Sequence, residues 1–494
     1  MRVDFPAELE ASLQELAASG PVEVRENGGR VASFLGMSWE VRGSVEKPLL
    51  HLWSERFNLT RRVLAITDRS SERLALAVEH FGRSKPDRLE FVRVDFGRNA
   101  REVSREEFRD ELKRFLAEQF PDETVESLTV APDLEHSLSG NYVRGLLRRG
   151  SSVVALLAVP EGESIDATDN CLTYGLLWLT RVRQSGRRET IAGLRLILPK
   201  NASRTVAHRI AALDSRLPVE LYERDPSRET VERIDPRIAG NMDSWLVPHR
   251  DAETLLNLVK PEVASIVAKA PKAIALHPVP HAREVWLHFR GLPFARWHEE
   301  RIFFGARHAR EELTAASRPA LNRLLQDLKV HRHPLTSDTR HPLYRAQAER
   351  WLESIVRDDV TRVDVMLDAR FVYPQVFANA GGEHGILDLL TVTSSGRLAI
   401  IELKAGEHIH LPLQAADYWL RVRRQLQNGE ITRYGYFPKI ELQKSPPLVY
   451  LVAPALRFHP ATDDLLKCLS PELDVVRVGL AESWRRSLRV VMRQ

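Results

Sequence analysis

Apolar residues recur along the chain with two spacings: every second residue in short runs, and every third or fourth residue in longer ones. The first spacing is typical of strands and the second of amphipathic helices. In the first 100 residues the pattern predicts a helix over 71–81 and strands over 48–53, 61–67 and 89–96. We therefore expect a mixed α/β module over residues 1–100.

A second module is predicted over residues 101–230. Its first helix, over 105–120, carries one apolar stripe formed by Phe108, Leu112, Phe115, Leu116 and Phe120. The elements predicted after it are strands over 153–159 and 194–199, a helix over 206–213 and a strand over 218–223.

The second half of the chain repeats this alternation of strands and helices. Residues 231–340 are predicted to form a connecting module, with helices over 252–259 and 320–328 and strands over 284–289 and 301–306. Residues 341–494 predict the order α-β-β-β-α-β-α-β. These elements cover 342–356, 371–377, 385–393, 397–404, 411–426, 447–454, 461–469 and 473–479.

An internal repeat links the second and fourth of these modules. Residues 142–174 resemble residues 386–418 when they are shifted by 244 positions without a gap, so that Tyr174 meets Tyr418 and Ala155 meets Ala399. The helices that precede them match with a shift of 236. Agreement in the same order over more than 100 residues indicates a tandem duplication.

The two copies differ in their ionisable residues. This alignment replaces Asp388, Glu402 and Lys404 of the C-terminal copy by Arg144, Ala158 and Pro160. It likewise replaces Glu349 and Glu353 by Lys113 and Ala117. Because the apolar framework is kept while the charges are absent, we interpret the charges as serving chemistry and the N-terminal copy as degenerate.

Composition narrows the class of protein. The 494 residues are 43% hydrophobic and carry a formal net charge of +4, which is typical of soluble globular proteins and compatible with a phosphate-bearing partner. The two cysteines, Cys171 and Cys468, have no metal-ligand spacing, and they exclude a disulfide framework. There is no signal-peptide core and no apolar run of about 18 residues, so we expect a cytoplasmic protein without a membrane span.

Three charged residues lie in two apolar strands of the last module. Asp388 stands within ILDLL, and Glu402 and Lys404 lie two residues apart in the next strand, so both point to one face. A hairpin between the strands would bring Asp388 and Glu402 together. Two close carboxylates favour a divalent cation, and hard oxygen ligands favour Mg²⁺ or Mn²⁺. Such a set suits metal-assisted hydrolysis of a phosphodiester.

The helix after these strands adds a polar stripe. Gln414, Tyr418, Arg421 and Gln425 are spaced 4, 3 and 4 residues apart. We interpret Gln414, Tyr418 and Arg421 as candidate substrate-binding residues that contact the nucleic-acid backbone. The alternative is an ordinary helix surface.

An aspartate followed 14 residues later by Glu-Leu-Lys, in α-β-β-β-α-β order, resembles the PD-(D/E)xK nuclease superfamily, whose members have the restriction-endonuclease-like fold. The stretch QAADY, from Gln414 to Tyr418, is similar to the Q-x₃-Y element of its RecB-like branch. The resemblance covers about 140 residues, from 343 to about 480. Two features depart from the pattern: Leu387 stands where proline is common, and His384 is a poor match for the upstream histidine of some members.

The resemblance implies roles for these residues. Asp388, Glu402 and the backbone carbonyl of Leu403 would bind Mg²⁺ or Mn²⁺, and Lys404 would orient the attacking water. Glu349 would be the glutamate of the first helix, with Glu353 one turn on. The implied fold is a pair of restriction-endonuclease-like modules, each a mixed central sheet flanked by helices and preceded by a smaller α/β segment.

We therefore expect an Mg²⁺-dependent nuclease that hydrolyses phosphodiester bonds of DNA. The alternatives are a binding protein for nucleic acid or protein with a vestigial site, and a hydrolase of another phosphoester. For Asp388, Glu402 and Lys404 the alternative role is a structural ion pair at a sheet edge. For Glu349 it is a solvated face or a pair with a neighbouring arginine. A homodimer or a partner protein stays open.

Overall fold

The computed structural model describes residues 5–19, 22–27, 29–34, 37–42, 48–53, 58–70, 73–79, 86–93, 98–226, 228–239, 244–246, 248–306, 311–380 and 383–494. The chain forms two compact units. The first comprises residues 1–241 with 382–384, and the second comprises residues 242–381 with 385–494. The bounds of the four predicted domains stay predictions.

The first unit begins with a helix packed on an antiparallel sheet. Helix α1 (Phe5–Ser19) is followed by β1 (Val22–Glu26), β2 (Gly29–Ser33), β3 (Ser38–Arg42), β4 (Leu49–Trp53), β5 (Asn58–Arg69), β6 (Arg73–Glu79) and β7 (Asp87–Arg93). The order in the sheet is β2-β1-β7-β6-β5-β4-β3. Leu9, Leu13 and Leu16 of α1 lie on one stripe and are buried against this sheet.

The helix predicted over 71–81 is wrong, because β6 occupies residues 73–79 of that stretch. Its residues pair with β5 on one side and β7 on the other. Leucine and alanine favour helices, but Leu74, Leu76 and Val78 also recur with period two and are all buried in the core. Pairing with two neighbouring strands outweighs the weak helical propensity.

The rest of the first unit is a second α/β layer. It comprises α2 (Arg98–Gln119), β8 (Thr124–Thr129), β9 (Val143–Arg149), β10 (Ser152–Ala158), α3 (Ile165–Asp169), α4 (Cys171–Gln184), β11 (Thr190–Pro199), α5 (Arg204–Ile210), β12 (Val219–Asp225), β13 (Thr230–Ile234) and α6 (Pro236–Ala239). The sheet order is β13-β12-β11-β10-β9-β8. The predicted stripe of α2 is confirmed, since Phe108, Leu112, Phe115 and Leu116 are buried on one face of the sheet.

The second unit opens with a short strand and an antiparallel sheet carrying two helices. These elements are β14 (Ser244–Trp245), α7 (His249–Val267), β15 (Ile274–Val279), β16 (Glu284–Phe289), β17 (Leu292–His298), β18 (Arg301–Phe304), β19 (Glu311–Glu312) and α8 (Arg318–His331). Strands β15 to β19 form one sheet in chain order. Apolar residues of both helices share its core, Val263 from α7 and Leu325 from α8 among them.

The second unit ends with the layer that carries the candidate site. It comprises α9 (Pro342–Arg345), α10 (Ala348–Asp358), β20 (Leu367–Ala380), β21 (Glu383–Thr393), β22 (Leu398–Leu403), α11 (Leu411–Gln427), α12 (Glu430–Arg433), β23 (Leu448–Pro454), α13 (Thr462–Leu466), β24 (Val475–Leu480) and β25 (Val490–Arg493). The sheet order is β14-β20-β21-β22-β23-β24-β25.

The single helix predicted over 342–356 is wrong, because the chain breaks between α9 and α10. Gln347 has a left-handed backbone with φ of +43°. The fully buried guanidinium of Arg332 accounts for the break, since it donates to the carbonyl of Ala346 at 2.7 Å and to that of Gln347 at 3.4 Å. A tertiary contact, absent from the local pattern, therefore sets where α10 begins.

The predicted pair of α/β modules is confirmed by the topology of the two layers. Strands β8 to β13 repeat the order of β20 to β25. In each layer the second and third strands are antiparallel, and the third, fourth and fifth strands are parallel to one another. One long helix, α4 or α11, joins the third strand to the fourth in both layers.

The structure corrects the alignment of the two copies by one residue in the third strand. Val159 donates to the carbonyl of Ile197, as Lys404 donates to that of Val452. Leu156 is buried with residues of α2, as Ile401 is buried with residues of α10. The counterparts of Glu402 and Lys404 are therefore Leu157 and Val159, and not Ala158 and Pro160. Arg144, which pairs with Leu157, stays the counterpart of Asp388.

Candidate active site

Asp388 and Glu402 lie where the pairing between β21 and β22 ends. The last described pair of this ladder is Leu389 with Ile401, and both side chains are buried in the core that contains α10. Successive residues of a strand point to opposite faces of the sheet. The side chains of Asp388 and Glu402, one residue beyond Leu389 and Ile401, therefore point to the face opposite that core. Lys404, two residues after Glu402, points to the same face as Glu402. The hairpin therefore brings the three predicted residues together.

The Asp388 carboxylate binds the backbone of the neighbouring strand. Its Oδ2 accepts a hydrogen bond from the N–H of Leu403 at 2.9 Å. The N–H and C=O of one strand residue point to the same side. The carbonyl of Leu403 is therefore directed toward Asp388 as well, and its role as a metal ligand stays a prediction.

Glu402 and Lys404 form a buried ion pair. They are 2% and 8% exposed, and Lys404 Nζ lies 3.2 Å from Glu402 Oε1. Burial, followed by the neighbouring Asp388 carboxylate, raises the pKa of Glu402 to about 8. Burial opposes the charge of Lys404, but the surrounding carboxylates outweigh it and raise its pKa above the usual range. Lys404 thus stays a cation and acts as a donor.

Helix α10 contributes three further charged side chains. Glu349 Oε2 lies 3.7 Å from Lys404 Nζ. Arg350 Nη1 lies 2.6 Å from Glu353 Oε2 and 3.4 Å from Asp388 Oδ1. Glu353 is 3% exposed, and burial raises its pKa, although the nearby Arg350 opposes that shift. Both glutamates considered for this helix therefore lie at the site.

Helix α11 carries the partly buried Tyr418. Burial raises the pKa of its phenol well above the ordinary value, and the charges of Glu402 and Asp388 add to the shift. Both effects favour the protonated phenol, and a contact of Tyr418 with substrate stays a prediction. Gln414, one turn earlier, has a buried Oε1 without a hydrogen-bond partner among the described residues. Its contact with substrate stays a prediction.

The C-terminal part of the polar stripe of α11 is buried. Gln425 is fully buried, and Arg421 is only 4% exposed. Arg421 Nη2 lies 3.3 Å from Asp417 Oδ1, one turn earlier on the same helix. Substrate contact by Arg421 also stays a prediction, and in this conformation its charge is paired inside the protein.

The donors present fit a divalent cation. The carboxylates of Asp388, Glu402, Glu349 and Glu353 gather there around Lys404 and Arg350, and the charge of Arg357 also acts on Glu353. Glu402 Oε2 is buried and has no hydrogen-bond partner within the described ranges. Within those ranges no three Asp, Glu, His or Cys side chains converge to hold an ion by themselves. Ligands from the backbone and from water would have to complete the shell.

Arg350 is the site residue that the sequence did not single out. It follows Glu349 directly and precedes Glu353 by three residues, which is the spacing of a helical ion pair. That signal could have found the pair, but its contact with Asp388 depends on how the helix packs against the sheet. The side chains of His384 and Leu387, the two departures from the family pattern, lie outside the described residues.

None of the helices in the described segments is long and apolar enough to span a bilayer.

Neither a protein-family model nor a curated protein matches this chain. The solved structures that are similar to it include the crystal structure of a repair endonuclease from Pyrococcus abyssi. The identity is 14%, the match covers 40% of this chain and 89% of that chain, and the TM-score is 0.14. A TM-score this low is a weak likeness.

Proposed function

We propose that this protein is a metal-dependent nuclease that hydrolyses phosphodiester bonds of DNA in its C-terminal module. The observation that carries the proposal is the meeting of Asp388, Glu402 and Lys404 at the end of the β21–β22 ladder. Glu402 Oε2 is buried there without a hydrogen-bond partner among the described atoms. An acidic cluster with an uncompensated buried oxygen is costly for folding, and a ligand of positive charge removes that cost.

Each residue has a role that follows from its surroundings. Asp388, Glu402 and the carbonyl of Leu403 would hold Mg²⁺ or Mn²⁺, which when bound stabilises charge on the phosphate and lowers the pKa of a bound water. Lys404 stays protonated among carboxylates, so it donates to the attacking water or to a phosphate oxygen. Tyr418 of α11, whose raised pKa keeps its phenol protonated, would donate to the substrate backbone.

The corresponding positions of the N-terminal module, all within the described residues, do not carry such a set. Its counterparts of Glu402 and Lys404 are Leu157 and Val159, both buried. The counterpart of Asp388 is Arg144, which is 3% exposed and donates to the carbonyl of Ala131. We assign catalysis to the C-terminal module alone, and leave binding or a structural role to the first.

The test is cleavage of supercoiled plasmid, linear duplex and single-stranded DNA, each with Mg²⁺, Mn²⁺ or EDTA. We expect cleavage with the metals, none in EDTA, and a loss of at least about 100-fold in Lys404→Ala. Lys467→Ala is the matched control, because Lys467 is a largely exposed lysine of the same unit that pairs with Asp464. Circular dichroism verifies that both variants fold.

The assay also separates the alternatives. Equal cleavage by the wild type and by Lys404→Ala would show that another site, or a contaminant, is responsible. Binding of DNA without cleavage in any condition would favour a binding protein with a vestigial site. RNA and nucleotide substrates in the same series test the choice of DNA.

A further inference from the structure

We infer that Arg350 is a built-in counter-ion of the acidic cluster, which holds Asp388 in the absence of metal and competes with a divalent cation for it. The inference deepens the proposed function, since it concerns the same metal site. The guanidinium lies between two carboxylates, 2.6 Å from Glu353 and 3.4 Å from Asp388. Its side chain is 20% exposed, so the charge is only partly screened by water.

The duplicated module supplies an internal comparison. With the shift of 236, the buried Phe115 and Leu116 of α2 correspond to the buried Trp351 and Leu352 of α10. Arg350 then corresponds to Arg114, which is an exposed arginine. The first module has Ala117 where α10 has Glu353, and Arg144 where β21 has Asp388. The same residue type at the same helical position is thus drawn inward only where both carboxylates exist.

Both oxygens of Asp388 are engaged in this conformation. Oδ1 faces Arg350, and Oδ2 accepts the N–H of Leu403. A divalent cation bound at Asp388 would stand close to the guanidinium, and like charges repel. Arg350 Nη1 lies 0.8 Å closer to Glu353 Oε2, at 2.6 Å, than to Asp388 Oδ1, at 3.4 Å. The contact with Glu353 is therefore the stronger of the two. Arg350 can keep Glu353 as its partner while it releases Asp388.

This arrangement predicts opposite effects for the two members of the pair. Removing the charge of Arg350 removes the competitor, so a divalent cation binds more tightly. Without the charge of Glu353, Arg350 binds Asp388 more strongly. The divalent cation then binds at Asp388 more weakly. A pair that only stabilised the fold would give the same sign in both variants.

The test measures binding of Mn²⁺ and Mg²⁺ to the full chain by calorimetric titration, together with the unfolding temperature in EDTA and in excess metal. For Arg350→Gln we expect a Kd at least about tenfold lower than that of the wild type, a lower unfolding temperature in EDTA and a larger gain on adding metal. For Glu353→Gln we expect a Kd higher by a similar factor. Arg350→Lys, which keeps the charge, should bind within about threefold of the wild type.

Arg362→Gln is the matched control, because Arg362 forms an exposed ion pair with Asp359 at the same sequence spacing in the same unit. It should leave metal affinity unchanged. Shifts of the same sign in Arg350→Gln and Glu353→Gln, or no binding of either metal to the wild type, would overturn the inference. Shifts of Kd in opposite directions would support the inference even if no DNA were cleaved. In that case only the proposed nuclease activity would be rejected.

Discussion

Oδ2 of Asp388 accepts the backbone N–H of Leu403 at 2.9 Å, just beyond the last described pair of the β21–β22 ladder. A side chain thus takes the place of the backbone partner that a regular antiparallel ladder would supply. The contact ties the first proposed ligand to the backbone of the third. Loss of the charge of Asp388 and loss of its hydrogen bond are therefore separable effects.

Two substitutions of Asp388 separate them. Asp388→Asn keeps an acceptor for the Leu403 N–H but loses the charge, so we expect cleavage to fall at least about 100-fold with little loss of stability. Asp388→Ala also leaves a buried N–H without its partner, which costs a further 1 to 3 kcal/mol or so, about what an unsatisfied buried donor costs. Cleavage assays and urea unfolding give the two quantities.

The control for this pair is Asp464→Asn, at an exposed ion pair with Lys467. It should change neither cleavage nor stability. Equal stability of the alanine and asparagine variants at position 388 would show that the hydrogen bond to Leu403 contributes nothing, and would weaken the description of the site.

Glu402 should make the metal-free protein less stable as the pH rises. Its pKa in the folded state is raised to about 8 by burial and by Asp388, against an ordinary value of 4.5. Its contribution to stability is therefore complete below about pH 4.5 and is lost as the pH rises through 8, with a limiting slope of about 1.4 kcal/mol per pH unit. Glu402→Gln removes this titration.

In EDTA we expect Glu402→Gln to unfold at a higher temperature than the wild type at pH 8, with a flatter pH dependence between 5 and 8. Saturating Mg²⁺ should reverse the order, because only the wild type then gains a ligand. Glu472→Gln, at an exposed pair with Arg423, is the control and should follow the wild type. Parallel pH profiles of the wild type and Glu402→Gln would contradict the raised pKa.

The meeting of Asp388, Glu402 and Lys404 could be predicted because it depends on local rules. Two strands joined by a short turn pair with each other, and side chains alternate with period two, so the relative positions of the three charges follow from their spacing. The same rule works for the apolar stripe of α2. In each case the deciding contacts lie within one element or between elements joined by a turn.

Features that depend on distant contacts could not be predicted. The break before α10 requires Arg332, which directly follows α8, and the contact between Arg350 and Asp388 requires the packing of α10 on the sheet. Strand β6 resembles a helix until its two neighbours are known. The one-residue error in the repeat arose because sequence similarity does not register which face of the sheet a residue lies on.

A stacked pair of buried histidines should make the second unit sensitive to acid. The rings of His277 and His288 lie 4.0 Å apart, and Arg357 Nη1 lies 3.1 Å from His277 Nε2. Burial and the nearby arginines lower the pKa of both, that of His288 to about 3. Their contribution to stability is complete above about pH 6.5 and is lost as the pH falls below it.

We expect the free energy of unfolding to fall by up to about 1.4 kcal/mol per pH unit for each histidine below pH 6.5. Replacing both histidines by glutamine should reduce this slope by up to the summed contribution of the two histidines. The comparison is between slopes, so it does not depend on how stable the variant is at pH 7. Urea unfolding at pH 7, 6, 5 and 4 measures the slopes. Identical slopes would show that the two rings are not held neutral by the fold.

Gly291 should control the geometry of the site from a distance, through the start of α10. It lies between β16 and β17 with φ of +79°, and a Cβ there would lie 2.0 Å from the backbone oxygen of Arg350. Gly291→Ala therefore adds a backbone clash to the strain of a left-handed alanine, and we expect a loss of at least about 3 kcal/mol. Displacing Arg350 should also alter the affinity for Mn²⁺.

Gly429 provides the matched control for that substitution. It has φ of +68°, but a Cβ there would meet nothing within 4 Å. Gly429→Ala should cost only about 1 kcal/mol, the strain of the backbone alone, and should leave metal binding unchanged. The difference between the two variants in urea unfolding isolates the contact with α10. If both cost the same, the β16–β17 turn does not press on the helix that carries Glu349, Arg350 and Glu353, and that helix must be positioned by Arg332 and by its own apolar face.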